Sequence, residues 1–192
     1  MERRFSDGAL TMPNYTITQA QFDAMQAVLT AIGGAPAPPP SNNLLVNGSF
    51  ESPSIATYQY SPIAPGWTFG TGGGIQRDGS AWDGAPAVDG VQTAFIQGAS
   101  SLSQSVTLAA GSYTLTFYLA QRQWAMPPGA VQPIAVSLDG VQQGAPITPA
   151  ATSFSQYNLA LTGLGAGVHT ITFAGTNPVG DASTFLDAVT LQ

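Results

Sequence analysis

Two sets of residues in this sequence have types and spacings that could do chemistry. The first is aromatic and planar polar. It comprises Tyr58 and Tyr60, Trp82 within Gly79-Ser-Ala-Trp-Asp-Gly84, and Trp124 within Gln121-Arg-Gln-Trp-Ala-Met126. Arg77, Arg122 and Gln123 accompany them, with Asp78 beside Arg77. A ring offers a flat apolar face, and guanidinium, amide and carboxylate groups form paired hydrogen bonds in a plane. Together they suit a ligand with apolar C–H faces and a rim of hydroxyls, which is the chemistry of a sugar. Each also has a structural use: Trp82 could plug its own loop, Trp124 could be a protein-contact patch, and Arg122 could pair with Asp83 or Asp89. Trp67, following Pro65-Gly66, reads as core.

The second set is acidic. Glu51 is the single glutamate after residue 42. Asp187 alternates with Phe185, Val189 and Leu191, which places it on one strand face with three apolar neighbours. A carboxylate buried there must pair, bind metal or be neutralised. Calcium, with its shell of about 6–8 oxygens, would satisfy Glu51 and Asp187 together, with Asn47 adding an oxygen. Otherwise both carboxylates accept backbone N–H groups at a sheet end.

Catalytic constellations are sparse. The chain has no cysteine and no lysine, which removes thiolate nucleophiles, Schiff bases and phosphate-binding Gly-Lys motifs. Its one histidine, His169, lies in a strand-like run beside Ile171 and Phe173 and reads as a packed residue. No Gly-x-Ser-x-Gly motif occurs. Asp78, Asp83 and Asp89 share one segment, but nothing selects a pair for glycoside hydrolysis. The expectation is a protein that is not an enzyme.

Composition narrows the partners. Charged residues make up 7 % of the 192, against roughly 25 % in an average soluble domain. The net charge is −6, with four arginines as the only cations besides the histidine. Nucleic acid is disfavoured, and no apolar run approaches the roughly 20 residues of a membrane helix. A surface built from Ser, Thr, Asn, Gln and Gly suits neutral hydroxylated ligands or packing within an assembly. No apolar stretch of signal-peptide type follows Met1-Glu-Arg-Arg4, so passage within a virion or by lysis is expected.

The elements that must hold these residues fall into two zones. Residues 1–42 read as an irregular arm, a short helix over 18–33 and a proline-rich linker, Gly34 to Asn43. The helix rests on Phe22, Met25, Leu29 and Ile32, capped by Thr18 and ended by Gly33-Gly34. So short a helix needs a surface to sit on, which points to anchoring on another protein or to homo-oligomerisation. Residues 43–192 read as strands: 44–50, 93–97, 102–108, 112–120, 134–138, 157–161, 168–173 and 184–191, with glycine turns between them. Tyr58–Gly90 stands apart as a long Gly-, Pro-, Trp- and Asp-rich connection, a place where function concentrates. The whole predicts an all-β antiparallel sandwich or jelly roll.

Several motifs carry a resemblance. Asn43-Leu-Leu-Val-Asn-Gly-Ser-Phe-Glu51 followed by Pro65-Gly-Trp67 resembles the opening of carbohydrate-binding modules of the galactose-binding-like jelly-roll superfamily, with DUF642-type cell-wall modules most similar. Leu102–Leu108, Ala110–Phe117, Val136–Gly140 and Phe185–Leu191 extend the match over about residues 43–192. Residues 1–42 have no counterpart. The resemblance implies a structural calcium between first and last strands and non-catalytic binding of a cell-surface or cell-wall glycan. Combined with the arm, it suggests display on a virion surface as a phage decoration, head-fibre or tail protein, with residues 1–33 held by a capsid or tail protein. The alternatives are a purely structural assembly protein and a secreted polysaccharide-binding protein.

Overall fold

A computed structural model describes residues 42–192 apart from Met126. The arm, the helix over 18–33 and most of the linker lie outside the described residues. Asn42–Gln192 forms a compact unit with eleven strands and no helix among the described residues. They are β1 (Tyr58–Tyr60), β2 (Thr68–Phe69), β3 (Gly73–Arg77), β4 (Gln92–Gln97), β5 (Ser101–Leu108), β6 (Gly111–Gln121), β7 (Ile134–Leu138), β8 (Val141–Gln142), β9 (Ser155–Leu164), β10 (Gly167–Gly175) and β11 (Ser183–Leu191). Six pair in the order β1-β3-β4-β11-β6-β9 and five in the order β2-β5-β10-β7-β8. Every strand pairing is antiparallel.

Period-2 patterning explains why the two sheets face each other. Leu115, Phe117 and Leu119 of β6, with Leu186 of β11, meet Ile134, Val136 and Leu138 of β7 and Ile171 and Phe173 of β10 in one buried cluster. Trp67 is in that cluster, as its sequence context predicts. Its ring lies 5.1 Å from Phe50 and 6.3 Å from Phe173, and its indole N–H donates to the Asn47 carbonyl. Each fully buried large apolar side chain contributes about 1.5–3 kcal/mol, so this layer dominates the stability of the sandwich.

The segment expected as a first strand, 44–50, is instead a chain of turns. Asn47 and Phe50 sit at φ 54° and 57°. The segment is tied down by side chains: Asn43 Nδ2 donates to Val189 O, and the Gln104 amide both accepts from Val46 N–H and donates to Val46 O. A Cβ at Gly48 would collide with the Val189 carbonyl, so the backbone passes too close to β11 for a pleated strand. Conversely, Tyr58–Gly90 is not one long loop, because it contains β1, β2 and β3. Its glycines hid β3. Gly74 lies under the Phe95 ring, where any Cβ would clash.

The expected common face of Phe185, Asp187, Val189 and Leu191 is also broken. The register between β11 and β6 shifts between Asp187 and Thr190, and Ala188 takes φ 47°. This bulge adds one residue and reverses the alternation. Val189 and Leu191 face the inter-sheet core, whereas Phe185 packs in a second cluster with Trp82, Phe95 and Ala120. Asp187 belongs to the same outer side, under residues 88–89, whose N–H groups donate to its Oδ2 at 2.6 and 3.1 Å.

Asp187 is fully buried, and burial raises its pKa to about 7 despite the N–H groups of Asp89, Ala188 and Val88. The folded state therefore holds a proton that the unfolded chain releases near the ordinary carboxylate value of 3.8. Stability should be greatest below that value, fall as pH rises toward about 7, and be flat above it. Denaturant titrations at pH 4 and pH 7 should differ by a few kcal/mol on this account, at about 1.36 kcal/mol per unit of pKa shift. Asp187→Asn should lose most of that difference. An unchanged pH slope in the variant would contradict the assignment.

Candidate ligand-binding site

The outer face of the six-stranded sheet carries a row set by register: Tyr60 opposite Gly74, Gly74 opposite Phe95, Phe95 opposite Phe185, and Phe185 opposite Ala120. The Trp82 indole closes over this row. It stacks on Phe95 at 3.9 Å between centroids and 21° between planes, and meets Phe185 edge-on at 6.3 Å. Trp82 is 4 % exposed, so it plugs its loop and is not an open platform for a ligand. The plug reading, one of the two the sequence left open, is the one the packing bears out.

Arg122 follows β6 directly and lays its guanidinium over Trp82, 4.3 Å from the ring centroid. Its Nη1 donates to Asp181 Oδ2 at 2.9 Å. The expected partners Asp83 and Asp89 are not the ones used. Asp83 accepts the indole N–H of Trp124 at 2.6 Å, and the backbone N–H of Asp89 donates to Asp187. Asp181 wins because it lies two residues before β11, beside the end of β6, where Arg122 N–H also donates to Ser183 O. The Arg122 Nε is buried and has no hydrogen-bond partner among the described residues.

Tyr58 and Tyr60 stand at the open margin of this cluster on edge strand β1. They are 45 % and 40 % exposed, with rings 6.3 Å apart and edge-on. Tyr60 also meets Trp82 at 5.8 Å and Phe95 at 5.0 Å. Its hydroxyl donates to Gln97 Oε1 at 2.7 Å, and partial burial holds its pKa above the usual phenol value. Tyr60 therefore stays neutral and fixes the Gln97 amide with its oxygen turned inward. Tyr58, Tyr60, Trp82, Gln97, Arg122 and Asp181 line a surface depression of about 230 Å³.

Four of the seven residues picked from the sequence thus converge: Tyr58, Tyr60, Trp82 and Arg122. Trp124 does not line the depression but is tethered to Asp83, next to Trp82, with 65 % of its surface exposed. Gln123 is exposed and Arg77 half-buried at the end of β3, and neither reaches the depression. Gln97 and Asp181 were missed. Gln97 reads in sequence only as the end of a strand, and Asp181 only as half of a Gly-Asp turn.

The acidic set gathers its hydrogen bonds from backbone. Asp187 Oδ1 accepts from Ala188 N–H, and its Oδ2 from Val88 and Asp89. Glu51 Oε1 accepts from Val91 and Gln92 N–H at 2.8 and 2.7 Å. The Asn47 side chain is closed on the Ser52 backbone in both directions. Donors therefore stand where a cation would approach these oxygens, and the Asn47–Glu51–Asp187 set does not fit a calcium shell as arranged. No group of three or more histidine or acidic side chains converges for a metal among the described residues. His169 is also committed: Asp139 lies 2.7 Å from Nδ1 and the Gly165 carbonyl 3.0 Å from Nε2, and no hydroxyl of the described residues bonds it.

No protein-family model matches the sequence, and no curated protein does either. Several solved structures are similar to it. TmCBM61, solved in complex with β-1,4-galactotriose, superposes with a TM-score of 0.56 at 17 % identity, covering 79 % of this chain and 99 % of that one. The CBM22-1 xylan-binding domain of Paenibacillus barcinonensis Xyn10C gives 0.48 at 15 % identity, covering 66 % and 85 %. Tailspike protein 4 of bacteriophage CBA120 gives 0.47 at 14 % identity, covering 78 % of this chain and 21 % of that one. The described residues thus share the jelly-roll sandwich fold of TmCBM61.

Two outcomes follow. Trp82→Ala should cost about 3–5 kcal/mol in denaturant titrations, the range for truncating a buried Trp; a cost below 1 kcal/mol would mean the plug is not structural. The melting temperature should be the same in chelator and in millimolar calcium, since a ligand bound only to the folded state would raise it. A calcium-dependent rise of several degrees would restore the cation site.

Proposed function

We propose that this protein is a non-catalytic carbohydrate-binding module whose ligand sits in the depression on the outer face of the six-stranded sheet. One observation carries the reading. Two solvent-facing tyrosines share a small depression with an arginine–carboxylate pair and an oriented amide, on a sandwich of the fold seen in TmCBM61 with its galactotriose. Tyr58 and Tyr60 supply apolar surface for the C–H face of a pyranose. Gln97 and Asp181 supply a donor and an acceptor for hydroxyls, and Arg122 holds Asp181 in place.

The charge of the depression favours neutral sugars. Its one cation, Arg122, is paired with Asp181, and the chain carries net charge −6. Display on a larger assembly such as a virion surface, through residues 1–33, is part of the proposal, resting on the sequence of that segment alone. The competing reading, a purely structural assembly protein, predicts no glycan affinity.

The test is a glycan array probed with the full chain, then calorimetry on the best neutral oligosaccharide, starting from β-1,4-galactotriose. Tyr60→Ala and Tyr58→Ala should each weaken binding about tenfold, as expected for about 1.4 kcal/mol of lost ring contact. Trp124→Ala should weaken it less. No bound glycan, or tyrosine variants that bind like the parent, would remove the proposal.

A further inference from the structure

Sandwiches expose sheet edges, and an open edge offers unpaired N–H and C=O groups to any passing strand. Four strands end the two sheets among the described residues. Three are blunt: β1 spans 3 residues, while β2 and β8 span 2 each. The fourth, β9, runs ten residues from Ser155 to Leu164, and is paired only with β6 among the described strands. Edge strands are usually protected by charge, proline, bulging or shortness. Ser-Gln-Tyr-Asn-Leu-Ala-Leu-Thr-Gly-Leu contains no charge and no proline; a bulge interrupts its pairing with β6 only beyond Leu161, and the register is continuous from Tyr113–Leu161 to Leu119–Ser155.

The side chains of β9 add to this. Leu161 is buried, but Tyr157 and Leu159 are only half-covered although they alternate with it on the core side. A strand laid along β9 would complete their cover. On the other side, Gln156 accepts from the Tyr118 hydroxyl and Asn158 from that of Thr116, so β9 is held flat against β6.

We infer that β9 is an interaction edge whose occupant is β9 of a second copy, paired antiparallel about a two-fold axis. The choice of occupant rests on charge and symmetry. Two chains each at net −6 repel, yet this edge brings no charged side chain of either copy into the seam. Residues 155–161, without proline and ahead of the bulge at 162–163, form a regular stretch complementary to its own antiparallel copy, as an isologous contact requires. The pairing would join two six-stranded sheets into one of twelve. Because β1 and β9 are opposite ends of the sheet order, both depressions stay open, on the same face and roughly 40–50 Å apart at about 4.8 Å per strand. Such a dimer could engage two sugar chains at once.

The test uses the full chain. Sedimentation velocity over a concentration series should show a monomer–dimer equilibrium, and Ala160→Lys with Thr162→Lys should weaken it at least tenfold by placing like charges at the seam. Both positions are exposed, so the melting temperature should stay within a few degrees. Amide hydrogen exchange should show residues 155–164 more protected at high than at low concentration in the parent, and not in the double variant. Four results overturn the inference: a parent monomeric at all concentrations; a variant that associates like the parent; association without a change in β9 protection; or protection independent of concentration, which would mean that another part of the same chain covers the edge.

Discussion

The stack of Trp82 on Phe95 is the contact on which the rest of the candidate site depends. It clamps residues 78–91 onto the outside of a sheet whose inner face is already used by the sandwich core. With the indole in place, Arg122 has a surface to lie on, Asp181 has a cation to pair with, and Tyr58 and Tyr60 have a ring to lean against. Without it, the outer face of β4 and β11 would expose Phe95 and Phe185, and no depression would remain. The most aromatic part of the candidate site is therefore structural, and the proposed ligand contact falls to its less buried rim.

The same segment answers the electrostatic problem of the domain. Acidic groups outnumber basic ones, and two carboxylates, Glu51 and Asp187, lie against residues 88–92. The backbone there turns its N–H groups toward them; at Asp187 these peptide dipoles offset only part of the cost of burial. Gly90 permits the approach, since at φ 83° it lies where any Cβ would strike the Glu51 side chain. Loop conformation, carboxylate burial and the position of Trp82 are thus one coupled arrangement.

Much of the sandwich could be read from the sequence, because its core strands obey period-2 alternation. Leu115-Phe117-Leu119 and Ile134-Val136-Leu138 face inward as their spacing dictates. The departures have local causes. Residues 44–50 look like a strand but run so close to β11 that only Gly48 fits, and side-chain hydrogen bonds replace a ladder. Strand β3 looks like a loop because it opens on two glycines: Gly74 makes room for Phe95, and Gly73 lies close to Ser101 and Leu102. The alternation in β11 fails at a bulge that periodicity cannot register. In the site, aromatic residues advertised themselves by type, whereas Gln97 and Asp181 did not: nothing in a lone strand-end glutamine or turn aspartate says which distant side chain it will meet.

The central proposal is that a sugar occupies the rim formed by Tyr58, Tyr60, Gln97 and Asp181 while Trp82 stays sealed beneath it. A ¹⁵N-resolved NMR titration of the full chain with a neutral oligosaccharide addresses this most directly. The account predicts saturable shifts of the Gln97 side-chain amide and the backbone of β1, with the Trp82 indole N–H moving little. Shifts centred on the opposite, five-stranded sheet, or no shifts at millimolar sugar, would contradict it.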